Sequence, residues 1–351
     1  MTIPAVVLGA TGYVGGEILR LLSTHPHFRL AAAVSSSRRG DAIGSVFPNL
    51  HGAYAEMSFA AAEDWLASID KGSDLALFSA APHGASAALI ASALEGADNR
   101  DINVHVVDLS ADFRYASAPQ FEAVYGIPHP APALLAEFFC AVPEHAPAAE
   151  APHIGHPGCF ATAVLLASVP LVASNFVTDD LFVSGITGST GSGRSPQPGT
   201  HHPERHSNLY AYKPLIHRHI PEIEASIEKA CKKNANVHFV AHSGPFARGI
   251  YVTLQAKMKS PISADEVRDS IRSFYKDSEF VHVVDGTPRL KDVIACNDAR
   301  IGVGCEGDTV VVMSAIDNLV KGAAGGALQW MNRLWSLPET SGLTAPSPAW
   351  T

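Results

Sequence analysis

An apolar run at residues 5–8 ends on Gly9-Ala10-Thr11-Gly12-Tyr13-Val14-Gly15, after which Val14, Ile18, Leu21 and Leu22 recur at helical spacing. Strand, glycine turn and helix in that order leave few folds open. The helix crosses back over a sheet, and the next strand runs parallel to the first. Apolar runs at 30–34, 75–78 and 104–107, separated by helical stretches, supply such neighbours. A doubly wound parallel sheet is therefore expected over the first part of the chain.

Glycines in such a turn let backbone amides reach a pyrophosphate at the helix N-terminus. Gly9, Thr11, Gly12, Tyr13, Val14 and Gly15 are thus candidate cofactor contacts. The end of the second apolar run selects the cofactor. Binders of NAD place Asp or Glu there for the ribose hydroxyl, whereas this chain has Ser35, Ser36, Ser37, Arg38 and Arg39. Hydroxyl and guanidinium groups suit a 2′-phosphate, so the expected cofactor is NADP(H), with Ser36, Arg38 and Arg39 near that phosphate.

At 351 residues and 47% hydrophobic content, the chain is long enough for two cores. A formal charge of -9 argues against nucleic acid and anionic membranes as partners. The five cysteines are scattered, with neither a disulfide framework nor zinc-ligand spacing, so no metal is expected. No secretory leader opens the sequence and no uncharged apolar run is long enough to span a bilayer. A soluble, cytoplasmic protein is expected.

Residues 131–152, rich in Ala and Pro, read as connection rather than core. Beyond them, runs at 182–186, 237–240, 250–254, 281–284 and 309–316 predict a mixed or antiparallel sheet. Pro221 sits in the first turn of a predicted helix over 221–232. Ser263 and Glu266 make a capping box for another, with Val267, Ile271 and Phe274 as its buried face. A last helix at 322–335 returns to the first domain, and the tail after Pro338 reads as loosely held. The expected class is α/β. A Rossmann-type doubly wound parallel sheet occupies residues 1–157 with the helix at about 320–340, and binds the cofactor. A second α+β domain with a mixed/antiparallel sheet occupies 158–319, and carries catalysis and subunit contacts.

Cys159 stands in His156-Pro157-Gly158-Cys159-Phe160, just before an apolar helical run. A thiol at a helix N-terminus feels positive potential that favours thiolate, and Gly158 permits close approach of a ligand. Cys231, Cys296 and Cys305 read as structural. A thiolate nucleophile needs an acid–base partner. The densest polar segment runs from Tyr212 to Glu222 and contains His217-Arg218-His219. If extended, it points His217 and His219 to opposite faces, so only one of them faces Cys159.

Six segments in order resemble the N-acetyl-gamma-glutamyl-phosphate reductases, relatives of aspartate-semialdehyde dehydrogenase, over nearly the whole chain. They are GATGYVGGE at the start, Leu109-Ser110-Ala111-Asp112-Phe113-Arg114, Pro157-Gly158-Cys159, Gly188-Ser189-Thr190-Gly191-Ser192-Gly193-Arg194, His217-Arg218-His219-Ile220-Pro221-Glu222, and Ala315-Ile316-Asp317-Asn318-Leu319-Val320-Lys321-Gly322. The resemblance implies an NADPH-dependent acyl-phosphate reductase of arginine biosynthesis, acting through a cysteine thioester as a homodimer or homotetramer. Cys159 matches the nucleophile and His217 the acid–base residue, with Glu222 as orienting carboxylate and His219 in reserve on the substrate side. Arg114 and Arg194 match groups for the substrate's carboxylate or phosphate. Ser189 and Gly191 fall among the cofactor contacts, and Asn318 and Lys321 match positions near the nicotinamide.

The chain departs from the common pattern with His156 in place of Asn and Phe160 in place of Tyr. Its segment Gly199-Thr200-His201-His202-Pro203-Glu204-Arg205-His206 is similar to reductases of carrier-protein-bound aminoadipyl or glutamyl phosphate. That activity and an N-succinyl variant are the alternatives. Aspartate-semialdehyde dehydrogenase fits the His217–Glu222 segment poorly, and the Cys159 and His217 pair argues against a redox sensor without turnover.

Overall fold

Strand β1 (Ile3–Leu8) is buried over its last four residues, and the glycine turn delivers it into α1 (Tyr13–Leu22). There follow β2 (Phe28–Val34), α2 (Ile43–Val46), β3 (Asp74–Ser79), α3 (Ser86–Asp98), β4 (Asn103–Asp108), α4 (Ala118–Tyr125), β5 (Phe138–Phe139) and β6 (His153–Gly155). In this computed structural model, which describes residues 2–348, all six strands lie parallel in the order β2-β1-β3-β4-β6-β5. Direction of winding reverses between β1 and β3, which opens a crevice at their carboxyl ends. The near-continuous burial of β1 and β3 follows from cover on both faces.

Strand β5 corrects the reading of residues 131–152 as mere connection. Phe138 and Phe139 extend the sheet beyond β6, and Leu135, Phe139, Ala141 and Val142 are buried. Two aromatic residues suit a pleated, half-buried surface and prevail over the surrounding Ala and Pro. Phe138 stacks on Phe113 with centroids 3.7 Å apart.

Helix α5 (Cys159–Ala173) is buried on every side from Phe160 to Val172, as its almost wholly apolar sequence demands. A seven-stranded mixed sheet carries it. The strands are β7 (Val177–Thr187), β8 (Tyr210–Tyr212), β9 (Asn236–Ser243), β10 (Ile250–Met258), β11 (Val281–Val283), β12 (Ala299–Glu306) and β13 (Thr309–Ile316), in the order β11-β12-β13-β10-β7-β9-β8. Interleaved are α6 (His202–Arg205), α7 (Ile220–Cys231) and α8 (Ala264–Phe274). The sequence did not reveal β12, whose Gly302 and Gly304 thin the apolar signal, nor the three-residue β8.

The capping box of α8 forms as expected, and Val267 and Ile271 are buried. Phe274 is corrected: it is 41% exposed, because the helix ends there and Tyr275 takes the buried place. Inside α5, Pro170 cannot donate to the Leu166 carbonyl four residues back. The Tyr275 hydroxyl donates to that carbonyl at 2.8 Å, and His145 Nε2 lies 2.9 Å from the same hydroxyl.

After β13 the chain makes a π-helical turn (Val320–Ala324) and then α9 (Gly325–Leu334). The tail is held rather than loose. Arg333 pairs with Glu339 at 2.8 Å, Asn332 donates to the Glu339 and Ser341 carbonyls, and Leu343 is buried. The last three residues of that tail lie outside the described residues.

Two units result. The first is the chain up to Ala141 with Ala148–His156 and Ala323–Thr344. The second is Val142–Pro147 with Pro157–Gly322 and the chain from Ala345. Among the described residues, no helix is long and apolar enough to cross a membrane.

Candidate active site

In the first unit, Gly9 has φ +69°, and a Cβ there would lie 2.6 Å from the Ala81 backbone. The fold itself demands that glycine. Gly12 differs. It caps α1 without a side-chain cap, and a Cβ on it would meet only the Gly9 carbonyl at 3.8 Å. The space a side chain would fill is left at the start of α1, where the helix's positive end and first-turn amides suit a pyrophosphate. Tyr13 and Val14 begin that helix, and Gly15 packs on Ala10.

Thr11 Oγ1 lies 3.2 Å from Ser35 Oγ, which accepts the Arg38 N–H and so ties the end of β2 to the turn. Ser36 is exposed. Arg38 and Arg39 reach solvent, paired with Asp41 and with Glu63 and Asp64. Exposed pairs of this kind are worth little. Arg114 donates to the His156 carbonyl from Nε and the Leu109 carbonyl from Nη2, bracing the ends of β6 and β4.

In the second unit, Cys159 is the first residue of α5 and Gly158 its N-cap, in extended backbone and with no side-chain cap. The Gly158 N–H donates to Glu222 Oε1 at 2.6 Å. Glu222 is buried in the first turn of α7, where the helix dipole favours a carboxylate. One carboxylate thus serves the starts of two helices.

His217 is 6% exposed and packs edge-on against Phe160 (5.9 Å), Tyr212 (5.7 Å) and Phe239 (5.2 Å). The His219 N–H donates to His217 Nδ1 at 3.2 Å, which places the proton of the neutral ring on Nε2. Burial, then the charges of Arg218 and Lys213, pull the His217 pKa down to about 4. Residues 217–219 form a turn rather than an extended run, so the two rings do not diverge. They lie 4.8 Å apart and both are buried. Burial, followed by the charge at Cys159, raises the phenol of Tyr212 above its ordinary range.

A Cβ on Gly322 would lie 2.8 Å from Cys159 Cβ, so this glycine's backbone packs directly against Cys159. Gly322 donates to the Asp317 carbonyl five residues earlier, the π-type bond that shapes the turn. Lys321 is wholly buried in an ion pair with the equally buried Glu144, and its ammonium lies 5.4 Å from the Phe280 ring centroid. Asn318 accepts the Gly249 N–H and donates to Thr190 Oγ1 at 3.0 Å, in the turn that contains Ser189 and Gly191. Arg194 follows that turn and is exposed. Sequence reasoning passed over Glu144, His145 and Tyr275, and gave Tyr212 no role beyond opening its polar segment. Its available signal for Tyr275 was Pro170 inside an apolar helix, a position that calls for a substitute donor.

Three buried histidines, His25, His153 and His217, and the half-buried His145 are held at a pKa of about 4, chiefly by desolvation. Each is neutral when folded and gains a proton on unfolding below its ordinary 6.5. Their contribution to stability is complete above that pH and falls between 6.5 and about 4. Asp108 has the opposite sign. Burial raises it to about 6, so the folded carboxyl holds a proton at pH 5 that the unfolded chain releases. From these groups, unfolding at pH 5 is expected to take up roughly three protons. The slope of unfolding free energy against pH, from urea melts, measures this. A flat profile from pH 6.5 to 4.5 contradicts it.

Residues 4–138 match the family described as semialdehyde dehydrogenase, NAD binding domain, and residues 159–318 match semialdehyde dehydrogenase, dimerisation domain. The N-acetyl-gamma-glutamyl-phosphate reductase of Methanosarcina mazei is 38% identical over 349 residues, covering 99% of this chain and 98% of that protein. The protein of the same name from Methanopyrus kandleri is 38% identical, with 97% of each chain covered. Among solved structures, aspartate semialdehyde dehydrogenase II of Vibrio cholerae complexed with ASA superposes with a TM-score of 0.70 at 16% identity, covering 96% of this chain and 98% of that one. The aspartate semialdehyde dehydrogenase of Candida albicans with NADP gives 0.65 at 17%, covering 96% and 99%. At these identities the structures show a shared fold.

Proposed function

Since the chain belongs to the family of N-acetyl-gamma-glutamyl-phosphate reductases, we propose that it reduces N-acetyl-gamma-glutamyl phosphate with NADPH, giving N-acetylglutamate semialdehyde and phosphate in arginine biosynthesis. The observation that carries this reading is Cys159 opening a fully buried helix, with Phe160 and His217 packed together beside it. On this reading the protein acts in the cytoplasm.

The residues of the glycine turn, Gly9 to Gly15, hold the pyrophosphate, and Ser36, Arg38 and Arg39 hold the 2′-phosphate. Bound there, the dinucleotide supplies the hydride that reduces the acyl group. The start of α5 favours the Cys159 thiolate, which attacks the acyl carbon. A carbon–sulfur bond forms, the bond to phosphate breaks, and the thiol proton ends on the departing phosphate. The first-turn amides of Phe160 and Ala161 lack intrahelical partners and are donors for the oxyanion. When the reduced adduct collapses, His217 presents its Nε2 proton to the charge returning to sulfur. Glu222 fixes the Gly158 peptide that aims the thiol.

The second unit matches a dimerisation domain. Its sheet exposes Phe182, stacked on His238 at 4.8 Å, as an apolar patch for a homodimer or homotetramer. The direct test runs the reaction backwards. With N-acetylglutamate semialdehyde and NADP⁺, NADP⁺ reduction is expected only when phosphate is present. No turnover by a folded protein that binds NADP(H) overturns the N-acetyl assignment.

A further inference from the structure

The segment from Gly199 to His206 plays no part in the mechanism above, yet it contains an anomalous side chain. Arg205 ends α6 and is 7% exposed. Its Nη1 makes one long bond, 3.3 Å to the Asn208 carbonyl, while Nε and Nη2 are buried without a hydrogen-bond partner. Those two atoms form a single edge of the guanidinium. Arg248 grips Asp317 by that edge, and Arg333 grips Glu339 by the same one. A buried guanidinium with that edge unsatisfied is among the costliest groups a fold can retain, unless something else pairs with it.

Two parallel donors match a carboxylate or phosphate oxygen pair. Strand β8 follows within a few residues, and its Tyr212 packs on His217 and feels the charge at Cys159. Glu204 and Asn208, flanking Arg205 in sequence, line a cleft of about 520 Å³ with Gly199, His201 and Tyr210.

We propose that Arg205 is a substrate-binding residue whose Nε/Nη2 edge holds an oxyanion of the acyl phosphate, its carboxylate or its phosphoryl group. The proposal rests on the reading of the protein as an acyl-phosphate reductase.

The test uses Arg205→Met and Arg205→Lys in the phosphate-dependent oxidation, varying phosphate and semialdehyde separately. One KM is expected to rise about tenfold or more in Arg205→Met, and less in Arg205→Lys, which keeps the charge without the paired donors. A rise for phosphate identifies the phosphoryl group, and a rise for semialdehyde the carboxylate. Thermal shifts by inorganic phosphate and by N-acetylglutamate give a readout without turnover. The wild type should be stabilised by one of them, and Arg205→Met should lose that shift. Unchanged KM values together with unchanged shifts overturn the proposal, whatever happens to the melting temperature. Arg205→Lys carries the decision if Arg205→Met does not fold. A wild type without activity sinks the functional reading alone, and the thermal shifts then still decide for or against Arg205.

Discussion

Cys159→Ser is expected to lower phosphate-dependent turnover by roughly 10⁴-fold or more while NADP(H) binding survives. A helix N-terminus brings a thiol to its anion near neutral pH, but the hydroxyl of serine lies far beyond that reach. The loss should fall on kcat, because the thiol makes its bond only during reaction. Dinucleotide binding should persist because Gly9, Gly12 and the arginines after β2 belong to the other unit. Nicotinamide fluorescence titration and steady-state rates on one preparation separate the two. A serine variant within about tenfold of the wild type would exclude covalent catalysis at this position.

Lys321→Met is expected to destabilise the protein by about 3–5 kcal/mol. Lys321 and Glu144 both have fully buried side chains, and removing the ammonium takes from the buried carboxylate the cation it is paired with. Glu144→Gln alone should be similarly damaging. The double variant, Lys321→Met with Glu144→Gln, should regain most of the loss, since neither charge then remains. Urea denaturation of all four proteins gives the coupling. Additive losses in the double variant would show that the pair is not what holds this turn. Activity should fall with stability, because Gly322, next in sequence, is the surface against which Cys159 rests.

The glycine turn, the first four parallel strands and Cys159 at a helix start were legible because each is a local pattern. Periodicity marks a strand or a helix, and a glycine marks a place where a side chain does not fit. What escaped depends on contacts distant in sequence. Lys321 reads in isolation as one more cation in a conspicuous motif, and its partner lies in an Ala- and Pro-rich stretch that looked like connection. Glu222 was expected to orient a histidine, and its hydrogen bond to Gly158 spans two helices that no local rule places side by side. The rings of His217 and His219 meet because a turn replaces the extended run that alternation assumes. Arg205 gave no warning, since burial of a charged side chain has no signature in its neighbours.

Pro170 carries a last implication, for how this sequence is free to vary. A proline in a helix interior is ordinarily a defect that selection removes. Here the carbonyl it leaves vacant is the acceptor for Tyr275, whose hydroxyl in turn meets His145. An alanine at 170 restores a main-chain donor that competes with the phenol for this carbonyl. A phenylalanine at 275 leaves the proline's carbonyl bare. Neither position is expected to change alone without loss, so the three residues, far apart in the chain, are expected to vary together.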